Sequence, residues 1–180
     1  RAMRFVANTV VGLTEITDGG RTWTMRVRPG IFFADDPAFK GQQRELTAAD
    51  YVYSWKRILD PRMRANALNA IEGRILDPEG VLAKARQAGQ LDLDAKIEGL
   101  QAIDRYTIRM RLNFPDAELL SNLTTTAFGA VAREAIEAYR DGSGWAMANP
   151  VGTGPYRLKE WRRGQKIVLE ANPGYREERY

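Results

Sequence analysis

Two residue types are missing from this 180-residue chain altogether, cysteine and histidine. Without cysteine there is no disulfide, no zinc–thiolate site and no thiol nucleophile, and the redox compartment leaves no mark on the sequence. Without histidine there is no Ser-His-Asp machinery, no imidazole metal ligand and no histidine pH switch. Long apolar runs are absent too, none approaching the roughly 18–20 residues that span a bilayer. The opening stretch, RAMRFVANTVVGL, has no initiator Met and no sustained hydrophobic segment of an export signal. The expectation is a cytosolic chain or a mature or excised piece of a longer one.

What is present is ordinary for a globular domain, with 44% hydrophobic and 28% charged residues. Net charge is +4, from 27 basic and 23 acidic residues spread along the chain. So mild a bias does not argue for nucleic acid.

Periodicity then assigns elements. In residues 13–33, Trp23, Met25 and Val27 alternate with Thr22, Thr24, Arg26 and Arg28, which predicts a strand with one buried face. Asp18-Gly19-Gly20 supplies the preceding turn of a hairpin. Residues 34–46 read as a loop. Thr47 begins the clearest helix, with Asp50 placed for a capping box and Pro61 as the stop. Tyr51, Val52, Trp55, Ile58 and Leu59 form its apolar stripe, and Lys56 and Arg57 are placed on its wet side.

Asp77-Pro78 reads as the start of a thin surface helix ending near Gly89. Two strands are predicted around Asp104-Arg105, with Tyr106, Ile108, Met110 and Leu112 inward and Thr107, Arg109 and Arg111 outward. Short helices follow near 116–123 and 132–140, the second ended by RDGSG. A final strand pair turns at Arg163-Gly164. Strands and helices mix without a βαβ rhythm, so the class is α+β, a mainly antiparallel mixed sheet with packed helices.

Each stretch that hints at chemistry has a plainer reading. Gly152-Thr153-Gly154-Pro155 is not a phosphate cradle, because no GK[ST] follows, the next residues alternate like a strand, and Pro155 removes a donor. A structural turn fits better, with Gly152 and Gly154 chosen for backbone freedom and lack of bulk. The Asp92/Asp94 and Asp35/Asp36 pairs read as solvated carboxylates rather than cation ligands. Trp55 beside Lys56 and Arg57 reads as core plus surface cations. Arg26, Arg28, Arg109 and Arg111 form a basic face only if their strands are neighbours.

Five segments in order, DGGRTWTMRVRPGIFF, LTAADYVYSWKRILDP, IEGLQAIDRYTIRMRL, PVGTGPYRLKEW and IVLEANPGY, resemble the family 5 extracellular solute-binding proteins. These are the peptide, oligopeptide and nickel receptors of ABC importers, and the resemblance runs from about Leu13 to Tyr175. It implies a fragment of a periplasmic-binding-protein type II fold. Residues 1–148 would be the family's extra, peripheral domain of the first lobe, and 149–180 the segment returning to the main part of lobe one.

By the same resemblance the chain is no enzyme and carries no cofactor or metal. It would work outside the cytoplasmic membrane, periplasmic or membrane-associated, as a monomer. Its partners would be a peptide or other small-molecule ligand and an ABC permease in the inner membrane, with no nucleic acid. The alternative is a stand-alone interaction module using a sheet edge or the basic face. Ligand-proximal residues implied by the family are Thr124, Thr125, Thr126 and Phe128, with Gly152, Thr153, Gly154 and Pro155 as a structural turn near the cleft. The family's pocket-facing aromatic after the DP that ends the capped helix aligns with Ala67, a departure that leaves no ground for carrying that contact over.

Overall fold

The computed structural model describes residues 5–142 and 145–176. Packing divides them into two units: residues up to Arg28 with Thr47–Gly129, and Pro29–Leu46 with residues from Ala130 onward. Residues 29–46 thus group with the C-terminal part of the chain.

The first unit is built on a four-stranded antiparallel sheet. Its strands are β1 (Glu15–Thr17), β2 (Thr22–Arg26), β3 (Leu100–Ala102) and β4 (Thr107–Arg111), in the order β1-β2-β4-β3. Trp23 lies opposite Met110 and Met25 opposite Ile108, so the alternation of both strands meets on one face. All four are buried, as are Val27, Leu100 and Leu112. The β1–β2 turn is a 3₁₀ turn over Asp18–Gly20, whose Gly20 carbonyl accepts the Trp23 indole N–H at 2.9 Å.

On this sheet packs α1 (Ala48–Leu59). Thr47 donates its backbone N–H and its hydroxyl to Asp50 Oδ2 at 2.7 and 2.9 Å, so the expected cap is formed. The helix is buried more widely than one stripe. Lys56, expected on the wet side, is 8% exposed, and its ammonium donates to the carbonyls of Leu93 at 3.0 Å and Ala95 at 2.7 Å. The segment after α2 (Val81–Ala88) covers that side, and two carbonyl acceptors offset the desolvation of the cation.

Two further expectations shift. Thr107 is buried rather than outward, because it serves the turn: its amide donates to Asp104 Oδ1 at 2.9 Å. Asp77 lies outside α2, which starts at Val81 because Gly80 sits at φ 69°. Its carboxylate still caps the helix, accepting the amides of Val81 at 3.0 Å and Leu82 at 2.7 Å.

In the second unit, Ile31, Phe33, Phe39, Leu46, Ala132 and Ala135 are buried. The 34–46 segment contains a 3₁₀ turn at Pro37–Phe39, capped by Asp36, which accepts the Ala38 amide at 2.8 Å. It is fastened to α4 (Arg133–Tyr139) by Arg44 on Glu134 at 2.9 Å and by the Tyr139 hydroxyl donating to Asp36 at 2.7 Å. Ser143 and Gly144 of the RDGSG stretch lie outside the described residues, and α4 already ends at Tyr139. The unit closes with the hairpin β5 (Tyr156–Arg162) and β6 (Lys166–Ala171), turned through Gly164 at φ 72°. Among the described residues no helix is long and apolar enough to cross a membrane.

Candidate functional site

The threonine stretch belongs to the first unit and follows α3 (Leu119–Leu123). Thr124 and Thr125 are exposed, yet their hydroxyls donate back to the Ser121 carbonyl at 2.7 Å and the Asn122 carbonyl at 2.9 Å. With each hydroxyl proton committed, what these side chains offer outward is acceptor lone pairs. Thr126, also exposed, opens a 3₁₀ turn ending at Phe128.

Phe128 itself is enclosed, at 2% exposure. Its ring meets Trp55 edge-on with centroids 6.4 Å apart, and its carbonyl accepts the Trp55 indole N–H at 3.0 Å. In this chain it therefore anchors to α1 the turn that follows Thr124 and Thr125. Ala67, where an aromatic was expected by resemblance, is half-buried just before a 3₁₀ turn at Leu68–Ala70.

The Gly152–Pro155 stretch belongs to the second unit and is held by its carbonyls. Gly152 accepts the Ala34 amide at 2.8 Å, Gly154 accepts the Asn172 side-chain amide at 2.9 Å, and Pro155 accepts the Asn172 backbone amide at 2.8 Å. Neither glycine is in the left-handed region, and a Cβ added at either would meet nothing within 4 Å. Backbone freedom and lack of bulk are therefore not what this turn takes from its glycines within the chain. The residue that organises it is Asn172, 7% exposed, whose Oδ1 also accepts the Gly174 amide at 3.1 Å. Asn172 stands in plain view in the ANPGY segment but carries no recognisable pattern, because its partners lie 17 and 18 residues away.

Beside this turn lies an open cavity of about 270 Å³, bordered by Asp36, Asn149, Lys159, Glu160, Trp161 and Arg163. The Arg163 guanidinium sits 5.3 Å from the Trp161 ring centroid. Asp36 is engaged by Tyr139, and this hydrogen bond raises the tyrosine's pKa above its ordinary value. Next to it, burial opposes ionisation of Glu134, but the bonds from Arg44 outweigh it and hold the carboxyl below the usual range.

The other candidates are structural. β2 and β4 are neighbours, so Arg26, Arg109 and Arg111 do share a face, yet Arg109 donates to Gln101 at 2.7 Å and Arg111 pairs with Glu98. Asp92 accepts the Asp94 amide at 2.9 Å in a turn. Among the described residues no group of three or more acidic side chains could hold a metal ion.

Comparison with known proteins agrees with the sheet and helix arrangement. A family model described as bacterial extracellular solute-binding proteins, family 5 middle, matches residues 7–180. The chain is 29% identical over 157 residues to the periplasmic oligopeptide-binding protein OppA of Salmonella typhimurium, covering 86% of this chain and 26% of that protein. It is 30% identical over 164 residues to di/tripeptide-binding protein 2 of Pseudomonas aeruginosa, covering 89% and 28%. Among solved structures, OppA of Listeria monocytogenes bound to peptide superposes with a TM-score of 0.72 at 22% identity, over 94% of this chain and 31% of that one. An oligopeptide-binding protein from Borrelia burgdorferi gives 0.69 at 26% identity, over 91% and 30%. The chain thus spans between a quarter and a third of the length of these relatives.

Proposed function

The chain belongs to the bacterial extracellular solute-binding proteins of family 5, and from that premise we propose that it is part of the substrate-binding protein of an ABC importer. The whole protein captures a peptide or similar small solute outside the cytoplasmic membrane and delivers it to a permease in that membrane. It acts by binding alone, without catalysis or cofactor, as a periplasmic or membrane-associated monomer. Ligand affinity would come from two lobes closing over the solute, a hinge equilibrium that the ligand shifts.

The observation that carries this reading is one family matched across residues 7–180, with relatives named for oligopeptides and for di- and tripeptides. In this scheme Thr124–Thr126 present acceptors near the ligand while Phe128 braces them from behind. Gly152–Pro155 is the turn through which the chain re-enters lobe one, and the segments bonded to it in the second unit go with it. The alternative, a stand-alone interaction module using a sheet edge or its basic face, gains no support. Arg109 and Arg111 of that face already have partners, and the relatives are receptors.

The test is calorimetric titration of the full-length protein that contains this chain with di-, tri- and tetrapeptides of varied sequence. Heat of binding with at least one length class is expected. A folded protein that binds none of them, and that carries a co-purifying non-peptide solute by mass spectrometry, overturns the peptide assignment.

A further inference from the structure

The cavity beside the Gly152–Pro155 turn takes no part in the function proposed above, and its rim carries charge that the chain does not use. Two irregularities of the β5–β6 hairpin shape that rim. The pairing register shifts between Leu158 and Glu160, leaving Lys159 as an extra residue in β5. Such a bulge re-aims the side chains around it. Leu158 opposite Leu169 and Trp161 opposite Ile167 keep one face of the hairpin apolar, while Arg157 pairs with Glu170 on the charged face. At the other end, Gly164 turns the chain at φ 72°, and the Arg163 guanidinium before it lies over the Trp161 ring, 5.3 Å from its centroid. Lys159, Glu160, Trp161 and Arg163 border the cavity from the hairpin, and Asn149 and Asp36 complete its polar wall.

The two carboxylates of this wall are spent. Glu160 pairs with Arg162 through Oε1 and with Lys166 through Oε2, the latter at 2.7 Å. Asp36 accepts the Tyr139 hydroxyl at 2.7 Å and the Ala38 amide at 2.8 Å. The cations are not spent. Among the described residues Arg163 has no acidic partner, its contact being the Trp161 ring. Lys159 reaches only Glu170 at 3.6 Å, a carboxylate already held by Arg157 at 2.9 Å. With these pairs included, five cations stand against three carboxylates. A metal ion finds no uncommitted ligand set in such a wall, whereas an anion finds donors without partners. A guanidinium laid on an aromatic ring keeps its N–H fork for a carboxylate or phosphate oxygen, and the Asn149 amide adds a neutral donor. At about 270 Å³ the cavity falls below the about 300–1,000 Å³ of sites for drug-sized ligands, which suits a small ion and not a peptide.

We propose that this cavity is a binding site for a small oxyanion, a phosphate or carboxylate group held by Arg163, Lys159 and Asn149, and separate from the seat of the transported solute. The Lys159 side chain is 62% exposed, so solvent screens the attraction, and a dissociation constant of about 1 mM is expected. The site stands or falls independently of the receptor reading.

The test uses the isotope-labelled full-length protein that contains this chain. Sodium phosphate and, separately, sodium acetate are titrated at constant ionic strength, and the indole N–H resonance of Trp161, identified by its loss in Trp161→Phe, is followed. A saturating shift with at least one anion is expected, and the anion that gives it distinguishes a phosphate from a carboxylate ligand. Arg163→Gln should weaken binding about 10-fold and Lys159→Gln less, since only the guanidinium offers a fork. If Arg163→Gln does not fold, Arg163→Lys tests the same group, with a smaller loss. Absence of any saturating shift up to about 20 mM of either anion overturns the inference. So does binding that both substitutions leave unchanged, which would mean an adventitious ion only. Displacement of the anion by a bound peptide also overturns it, because the cavity would then be the seat of the solute's own carboxylate. Anion binding in a folded protein that takes up no peptide leaves the site standing and sinks the receptor reading alone.

Discussion

Trp55 is the side chain whose removal discriminates best between a core role and a recognition role. It is 3% exposed, its ring lies 5.7 Å from Tyr51 and 6.4 Å from Phe128, and its indole N–H donates to the Phe128 carbonyl at 3.0 Å. Trp55→Ala should cost about 3–5 kcal/mol in lost burial and cavity formation. The orphaned carbonyl adds about 1–3 kcal/mol if it stays dry. Against a typical domain stability of about 5–15 kcal/mol, most of the folded population is at stake. Trp55→Phe keeps much of the ring contact and loses the hydrogen bond, so about 1–3 kcal/mol is expected. Urea unfolding followed by far-ultraviolet circular dichroism measures both, with linear extrapolation giving the free energies. Should Trp55→Ala lie within about 1 kcal/mol of the wild type, the packing account of α1 is wrong, since only surface positions tolerate such truncation. Loss of peptide binding at unchanged stability would turn Trp55 into a ligand platform.

Two glycines should behave oppositely. A Cβ at Gly99 would sit 2.5 Å from the backbone N and O of Leu76 and 2.7 Å from the Arg111 carbonyl, so Gly99→Ala should cost about 3 kcal/mol or more in a thermal melt. At Gly154 it would meet nothing within 4 Å, so Gly154→Ala in the 180-residue chain should change stability by less than about 1 kcal/mol. Acid should also act at identifiable pairs. Burial opposes ionisation of Asp116, but its bonds from Arg74 and two backbone amides depress its pKa below the ordinary 3.8. A depressed carboxylate contributes stability that is whole above its unfolded value and is lost as pH falls through the folded one. Arg74→Gln should therefore lower stability at pH 7 and flatten its decline from pH 4 downward, and an unchanged acid slope in pH-dependent urea melts would refute the pairing.

How much of the fold is legible in the residues depends on how far a side chain's partner lies along the chain. The alternation of Trp23, Met25 and Val27, the Thr47–Asp50 cap and the Gly164 turn are decided within a few residues, and all three appear where the sequence places them. Lys56 cannot be read this way. Helical periodicity assigns it to solvent, and only the return of Leu93 and Ala95, 37 and 39 residues on, encloses it. Thr107 and Asp77 shift for the same reason on a smaller scale, each serving a turn that alternation and capping rules do not describe.

The candidate site shows the same division more sharply. Its motif letters, GTGPY and ANPGY, are local and recognisable in order, which is why the family can be read from the residues alone. The forces that hold them are not local: the carbonyls of Gly152, Gly154 and Pro155 are claimed by Ala34 and Asn172. A carbonyl's partner is independent of its own side chain, so no residue type at those positions could have announced it. The hairpin that follows lies between these cases. Its alternation is readable, but the bulge at Lys159 breaks the count, and with the count broken Trp161 would be assigned to the charged face. Only the paired register puts it beside Ile167. That register, not composition, turns a polar-looking YRLKEWR segment into half of a continuous apolar surface.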